Sequence, residues 1–129
     1  MRQDIGSHYT VDEGLSSLAR TGATYYTESI DHANGACGAF FISVGVWETS
    51  FVATLQHCDT DSDTEGDWTD EVTGAGNDVS ETLEKAGDGQ INVPNPRERF
   101  SRVKLVVGGT TCVCGVTSIL GPLRTLNAQ

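Results

Sequence analysis

The chain of 129 residues is poor in basic side chains, methionine, proline and aromatics. Eight Lys and Arg stand against 18 Asp and Glu, for a formal charge of −10. Duplex affinity rests on basic side chains that displace counterions, so this balance argues against binding nucleic acid or an anionic membrane. No apolar run approaches the ~20 residues that span a bilayer as a helix. The opening residues, MRQDIGSHYTVDEG, lack the apolar stretch of a secretory signal, so the expectation is synthesis in the cytoplasm. Aromatics are only 7% of the chain, which leaves little material for a platform on which sugars stack. A Gly-x-Ser-x-Gly elbow, a Walker loop and His-Glu-x-x-His are all missing. This length folds as one domain, or one domain with an arm.

Four cysteines are present: Cys37, Cys58, Cys112 and Cys114. Without a signal peptide they are read as thiols of a reducing compartment. On a strand Cys112 and Cys114 share one face, with Cα atoms about 6.6 Å apart, near the upper limit for a disulfide. Buried free thiols are the expectation. The other reading is a zinc site from Cys112, Cys114 and one of Cys37, Cys58 or a histidine. Cys-x-Cys alone lacks the two spaced ligand pairs of structural zinc.

Most of the chain reads as strands. Residues 1–20 are the exception and are expected to form an N-terminal arm. Thr10 and Glu13 match a capping box for a short helix with Leu15 and Leu18 on one face. Gly14 and the serines weaken that helix, and an extended arm that orders on a partner is the alternative. From residue 21 a β-sandwich domain is expected. Phe40, Ile42, Val44 and Val46 alternate with Phe41, Ser43, Gly45 and Trp47, a period of two. Phe51, Ala53 and Leu55 alternate in the same way, and Glu48-Thr49-Ser50 between the two runs suggests a hairpin. Trp68 to Val72 suggests a short strand, and residues 80–86 a single helical turn stopped by Gly87. Ile91 and Val93 form another strand. Ser101, Val103, Leu105 and Val107 point inward on the next, with Arg102 and Lys104 outward. Residues 111–120 form the last. One-sided apolar strands require a second sheet to cover them, so an all-β antiparallel sandwich or jelly-roll-like barrel is expected.

Two charged stretches are candidates for chemistry. Between Asp59 and Asp88 lie eleven acids and one base, Lys85. Alternate acids from Asp59 to Asp67 suit calcium, but neither register of an EF-hand loop is completed. A solvated acidic loop is the plain reading. His57 and Cys58 are vicinal, so on a strand they point to opposite faces and do not form a nucleophile–base pair. The carboxylates sit in polar sequence with no apolar pocket to raise a pKa. Neither catalysis nor a cofactor is expected. Arg97, Arg99, Arg102 and Lys104 place four of the eight bases within eight positions. They are either a polar outer face or a contact patch for an acidic partner. In the second case neighbouring copies would meet head-to-tail, basic strand on acidic loop.

The order of several motifs resembles small structural proteins of tailed bacteriophages. Phe51-Val-Ala-Thr-Leu-Gln56-His57-Cys58-Asp59, followed by Trp68-Thr-Asp70-Glu-Val72, is similar to their "LQHSDD"-like strand end and "(W/F)TDV"-like strand. Ile91-Asn-Val93 and Arg97-x-Arg99-Phe-x-Arg102-Val-Lys-Leu-Val-Val-Gly-Gly109 fit the same series, as does Phe40-Phe-Ile-Ser-Val-Gly45. The resemblance covers residues 24–120. Cys58 stands where Ser is usual, and the loop from Asp59 to Gly66 is longer than the pattern. The resemblance implies a non-enzymatic virion component. It would cement or decorate the capsid surface by binding the major capsid protein, as a homo-trimer, with a tail or neck component as the alternative. On that reading the partner-binding residues are Arg2, Ile5, Tyr9, Leu15 and Leu18 of the arm together with Arg97, Arg99, Arg102 and Lys104. A reading from another class is a carbohydrate-binding sandwich. It would use Trp47, Trp68, Tyr25 or Tyr26 as platform and the acidic loop as a calcium holder.

Overall fold

A computed structural model describes residues 10–32, 37–72, 76, 79–94, 96–109 and 112–121. Ten strands are described: β1 (Thr10–Arg20), β2 (Ala23–Tyr26), β3 (Ile30–Asp31), β4 (Gly38–Val46), β5 (Phe51–Cys58), β6 (Thr69–Asp70), β7 (Ser80–Thr82), β8 (Gly87–Val93), β9 (Phe100–Val107) and β10 (Cys112–Leu120). They form two antiparallel sheets. The first runs β1-β10-β4-β8. The second runs β2-β9-β5-β6, with β3 also on β9 and β7 also on β5. Most connections carry the chain from one sheet to the other. This is a jelly roll, the all-β sandwich that the alternating pattern requires.

The apolar stripes meet between the sheets. Phe40, Ile42 and Val44 of β4 pack with Phe51, Ala53 and Leu55 of β5, and with Val103, Leu105 and Val107 of β9. Phe40, Phe51, Ala53, Val103 and Leu105 have no exposed surface. Burial of that kind stabilises by roughly 1.5–3 kcal/mol per large side chain, which explains why the period of two is so strict here.

Several local expectations are corrected. β4 and β5 are not a hairpin. β4 pairs with β10 and β8, whereas β5 pairs with β9, β6 and β7. Residues 48–50 form an arch between sheets, held where Gly108 N–H donates to Ser50 O at 3.0 Å. Val46 does not follow Val44 inward. The ladder slips between Val113 and Cys114, Val46 comes opposite Val113, and it stays 46% exposed. The helical turn at 80–86 is absent, because Ser80–Thr82 is strand β7 on β5. Residues 10–20 are neither helix nor free arm but the edge strand β1, paired along β10 from Thr10↔Leu120 to Arg20↔Cys112. Leu15 packs against the core. Arg2, Ile5 and Tyr9 lie outside the described residues.

Glycine is required at the corner between β9 and β10. Gly109 has φ +94°, and a Cβ there would sit 2.7 Å from Glu48 Cβ. Its carbonyl accepts from Gly22 N–H at 2.7 Å, which ties the start of β2 to this turn.

Candidate functional surface

The outer face of the second sheet is where the two charged stretches meet. On β9, Arg102 lies beside Gln56 of β5 in the ladder, and Lys104 lies beside Tyr26 of β2. The loop after β5 folds back over them through a short 3-10 turn at Glu65–Asp67. Trp68 follows the turn and is buried, its indole N–H donating to Ser62 O at 3.0 Å.

Arg102 is the centre of this arrangement. The expectation placed it outward; its side chain is only 9% exposed. Its guanidinium lies 4.1 Å from the Tyr26 ring centroid and 4.3 Å from that of Trp68. Nε donates to Gln56 Oε1 at 2.9 Å, and Nη2 donates to Glu65 Oε1 at 2.7 Å. Gln56, itself 1% exposed, donates onward to Asp70 Oδ1 at 2.9 Å. A guanidinium held this way is desolvated, stacked and charge-compensated, which suits the flat donor fork of Arg and not the point charge of Lys.

The other three bases of the run are also engaged within the chain. Arg97 pairs with Glu71 at 2.8 Å, Arg99 pairs in bidentate fashion with Asp31 at 2.9 Å, and Lys104 lies 3.7 Å from Asp70. The acidic loop therefore answers the basic strand within one copy. Arg97 and Arg99 keep 58% and 55% of their side chains exposed, whereas Arg102 is covered. Leu15 and Leu18 lie on β1 in the first sheet, where Leu18 pairs by its backbone with Cys114, whereas Arg102 and Lys104 lie on β9 in the second.

A second cluster lies at the end of β5. His57 Nδ1 meets Glu98 Oε1, and His57 Nε2 lies 3.7 Å from Glu71 Oε1. Glu98 also hydrogen-bonds to Asp59. That bond raises the Asp59 carboxyl above its ordinary value and lowers that of Glu98. Cys58 takes no part: its sulfur lies 3.8 Å from Thr60 Oγ1. His32 is buried, 2.6 Å from Ser101 Oγ.

A cavity of about 220 Å³ opens beside Arg102, lined among others by Glu28, Ser29, Asp61, Asp63 and Trp68. Its walls are polar and acidic, and the one base in them is already taken. Among the described residues no three of His, Cys, Asp and Glu stand together so as to hold a metal ion. The zinc reading of Cys112 and Cys114 with a third ligand is thereby corrected: all four cysteines are free, and Cys58, Cys112 and Cys114 are buried. The sugar platform finds no support either. Trp68 is covered, and Trp47 is half-buried with its indole N–H on Leu83 O at 2.7 Å. The sequence alone does not single out Gln56 and Glu65, and it offers Tyr26 only for a sugar platform. The one sign available was that Gln56 and Arg102 both fall on the outward phase of their strands.

The first sheet offers a different outer face. The outward positions of its two central strands are Ala39, Phe41, Ser43 and Gly45 on β4, and Val113, Gly115, Thr117 and Ile119 on β10. None is charged. Phe41 is 38% exposed. No helix among the described residues is long and apolar enough to cross a membrane.

No family model and no curated protein matches the chain. Solved structures do. A chain of Bacillus endospore appendages, which form a family of disulfide-linked pili, is similar with TM-score 0.52 at 9% identity, over 91% of this chain and 90% of that one. A chain of infectious bursal disease virus, Gx strain, is similar with TM-score 0.53 at 10% identity, over 92% of this chain. This chain spans 32% of the viral chain's length. At such identities the likeness is one of fold.

Proposed function

We propose that this protein is a non-enzymatic structural component of a virion, a cement or decoration protein that binds the capsid lattice. The observation that carries the reading is the jelly roll itself, with its chemistry spent internally. The buried Arg102 is fully engaged, and the cavity beside it is acidic and open. The uncharged central strip of the first sheet's outer face, flanked by the exposed Glu13 and Asp88 of β1 and β8, suits packing against neighbouring subunits, whose buried centres are depleted of charge and whose rims are polar. The fold likeness to a virus chain, and the motif order shared with tailed-phage structural proteins, support the same assignment. Bridging adds interface area that expansion of a pressurised shell must break. The three-copy state implied by the motif resemblance belongs to this proposal.

The test is a copy count on purified virions by quantitative mass spectrometry. Hundreds of copies per particle are the expected result. A handful would move the assignment to the neck or tail, and absence from the particle would overturn it. The near full-length likeness to a pilus chain favours a second reading, a fibre subunit. Negative-stain microscopy of the purified chain separates the two: fibres formed without any capsid would select the second.

A further inference from the structure

Among the described residues every sheet edge but one is short or broken. In the second sheet the edges are β2 and β3 on one side and β6 and β7 on the other, strands of four, two, two and three residues. In the first sheet β1 is long, but its register against β10 slips on both sides of Leu15. Short edges and register slips are two ways in which a fold keeps another chain from adding a strand. β8, the other edge of the first sheet, has neither. Its seven residues pair with β4 without a slip from Gly38↔Val93 to Val44↔Gly87. The strand reads Gly87-Asp88-Gly89-Gln90-Ile91-Asn92-Val93, with one charge and neither lysine nor proline.

The inner face of β8 is closed. Ile91 and Val93 are buried in the core, and the Glu81 side chain of β7 fills the space at Gly89, its Cγ 2.7 Å from where a Cβ would stand. The outer face carries the exposed Asp88, Gln90 and Asn92, where the Gln90 amide donates to Asn92 Oδ1. One long side of the strand pairs with β4. Along the other, no hydrogen bond among the described residues reaches the backbone of 87–93. Every second residue there turns its N–H and C=O away from β4. Such a row is a template for a further strand.

We propose that β8 pairs antiparallel with β8 of a second copy about a two-fold axis at Gln90, which joins two four-stranded sheets into one of eight. The sequence of the strand favours this occupant. A two-fold at Gln90 is the one register that overlaps all seven residues. It sets Asp88 opposite Asn92 of the second copy at both ends, so each carboxylate faces an amide that can donate to it. The two Asp88 carboxylates stand four residues apart along the strands, ~13 Å, beyond the screening length of physiological salt. On the inner face Gly87 comes opposite Val93 and Gly89 opposite Ile91, small against large. Pro94 follows at once and has no N–H to extend the ladder. A two-fold contact closes at two copies, so it is distinct from the three-copy state of the capsid reading and does not depend on that reading. Seven residues a side fall short of the roughly 20–30 of a standard interface, so the pair is weak in solution. Copies held side by side on a lattice or in a fibre form it at high effective concentration.

The test is sedimentation velocity of the full chain from about 10 μM to 1 mM, the range of weak association. The expected result is a mass that doubles with concentration. Asn92→Lys places an ammonium opposite Asp88 of the second copy twice in each pair. It should tighten association roughly two- to thirtyfold, the scale of two cross-strand ion pairs. Asn92→Asp sets carboxylate against carboxylate and should weaken it by a similar factor. Adding Asp88→Asn to Asn92→Lys should erase the gain, which a mere drop in net charge would not do. Both positions are exposed, so thermal melting of the dilute variants should match the parent. Hydrogen exchange of the wild-type chain is a second reading that needs no variant: amides within 87–93 should slow as concentration rises. A mass independent of concentration, equal association of Asn92→Lys and Asn92→Asp, or slowing confined to other strands would each overturn the proposal.

Discussion

The two sheets of this jelly roll share one core but differ on their outer faces. The second sheet carries Arg102 and Lys104 outward and covers them with its own acidic loop. The first sheet carries no charge on the outward positions of its central strands, and no loop among the described residues covers Phe41. The difference teaches where the −10 charge of the chain has been put to use. On one side charge holds the fold together. On the other its exclusion from β4 and β10 leaves an uncharged central strip that a neighbouring subunit can meet, with Glu13 and Asp88 at its rim.

The contrast breaks most sharply at Arg102. Arg102→Ala leaves Gln56 and Glu65 without their donor and opens a void between Tyr26 and Trp68. A loss of about 1–3 kcal/mol is expected from leaving the buried Gln56 without its donor, with little added by the half-exposed Glu65, read as a drop in urea midpoint. Arg102→Lys should recover only part of it, because an ammonium cannot lie flat between two rings. A loss below 1 kcal/mol would show that the loop is not anchored there. Gly109→Ala comes next. Its left-handed φ and the close Glu48 side chain predict a loss of more than about 1 kcal/mol, checked by thermal melting.

The same residues show how much was legible beforehand. The period-two stripes from Phe40 to Val44 and from Ser101 to Val107 identified strands and core, because a pleated strand has only two faces. They could not say which strands pair. β4 and β5 look like a hairpin locally, and only the packing of two whole sheets sends them apart. The alternation predicts an outward Arg102, and its position on the strand is the outward one. What covers it is a loop whose docking depends on Trp68 and Glu65, and no local pattern reports such a long-range contact. Residues 10–20 carry no strand signal for a related reason. Gly14 and the serines give β1 no stripe of its own, and its place as a strand comes from the ladder that β10 offers.

Smaller effects sharpen the comparison. Arg99→Ala removes a bidentate pair with Asp31, but both side chains are about half exposed, 55% and 44%. Solvent screening limits such pairs to roughly 0–1 kcal/mol, so a shift in melting far below that of Arg102→Ala is expected. Phe41→Ser on the bare face should leave stability within about 0.5 kcal/mol, the usual range for a surface change. On the capsid reading it should nevertheless lower the occupancy of the protein on purified virions. A large stability loss with unchanged occupancy would mean that this face belongs to the fold and not to an assembly.

The smallest effect is a matter of protons at the Asp59–Glu98 pair, where the two carboxyls pull in opposite directions. Hydrogen bonds from Asp59 and then His57 lower the Glu98 carboxyl, so its contribution to stability is present above its unfolded value and fades as pH falls through the folded one. The Asp59 carboxyl is raised by its bond to Glu98, so its contribution is present at low pH and fades as pH rises through the folded value. The pair is therefore favoured where it holds one proton, between the two steps. Carboxyl-carbon NMR should resolve those steps on either side of the ordinary carboxylate range, about 3.9 to 4.3. Glu98→Gln takes away the charge that holds the Asp59 proton, and the Asp59 step should move down toward its ordinary value. An Asp59 step that stays put in that variant would mean that solvent, and not Glu98, sets its titration.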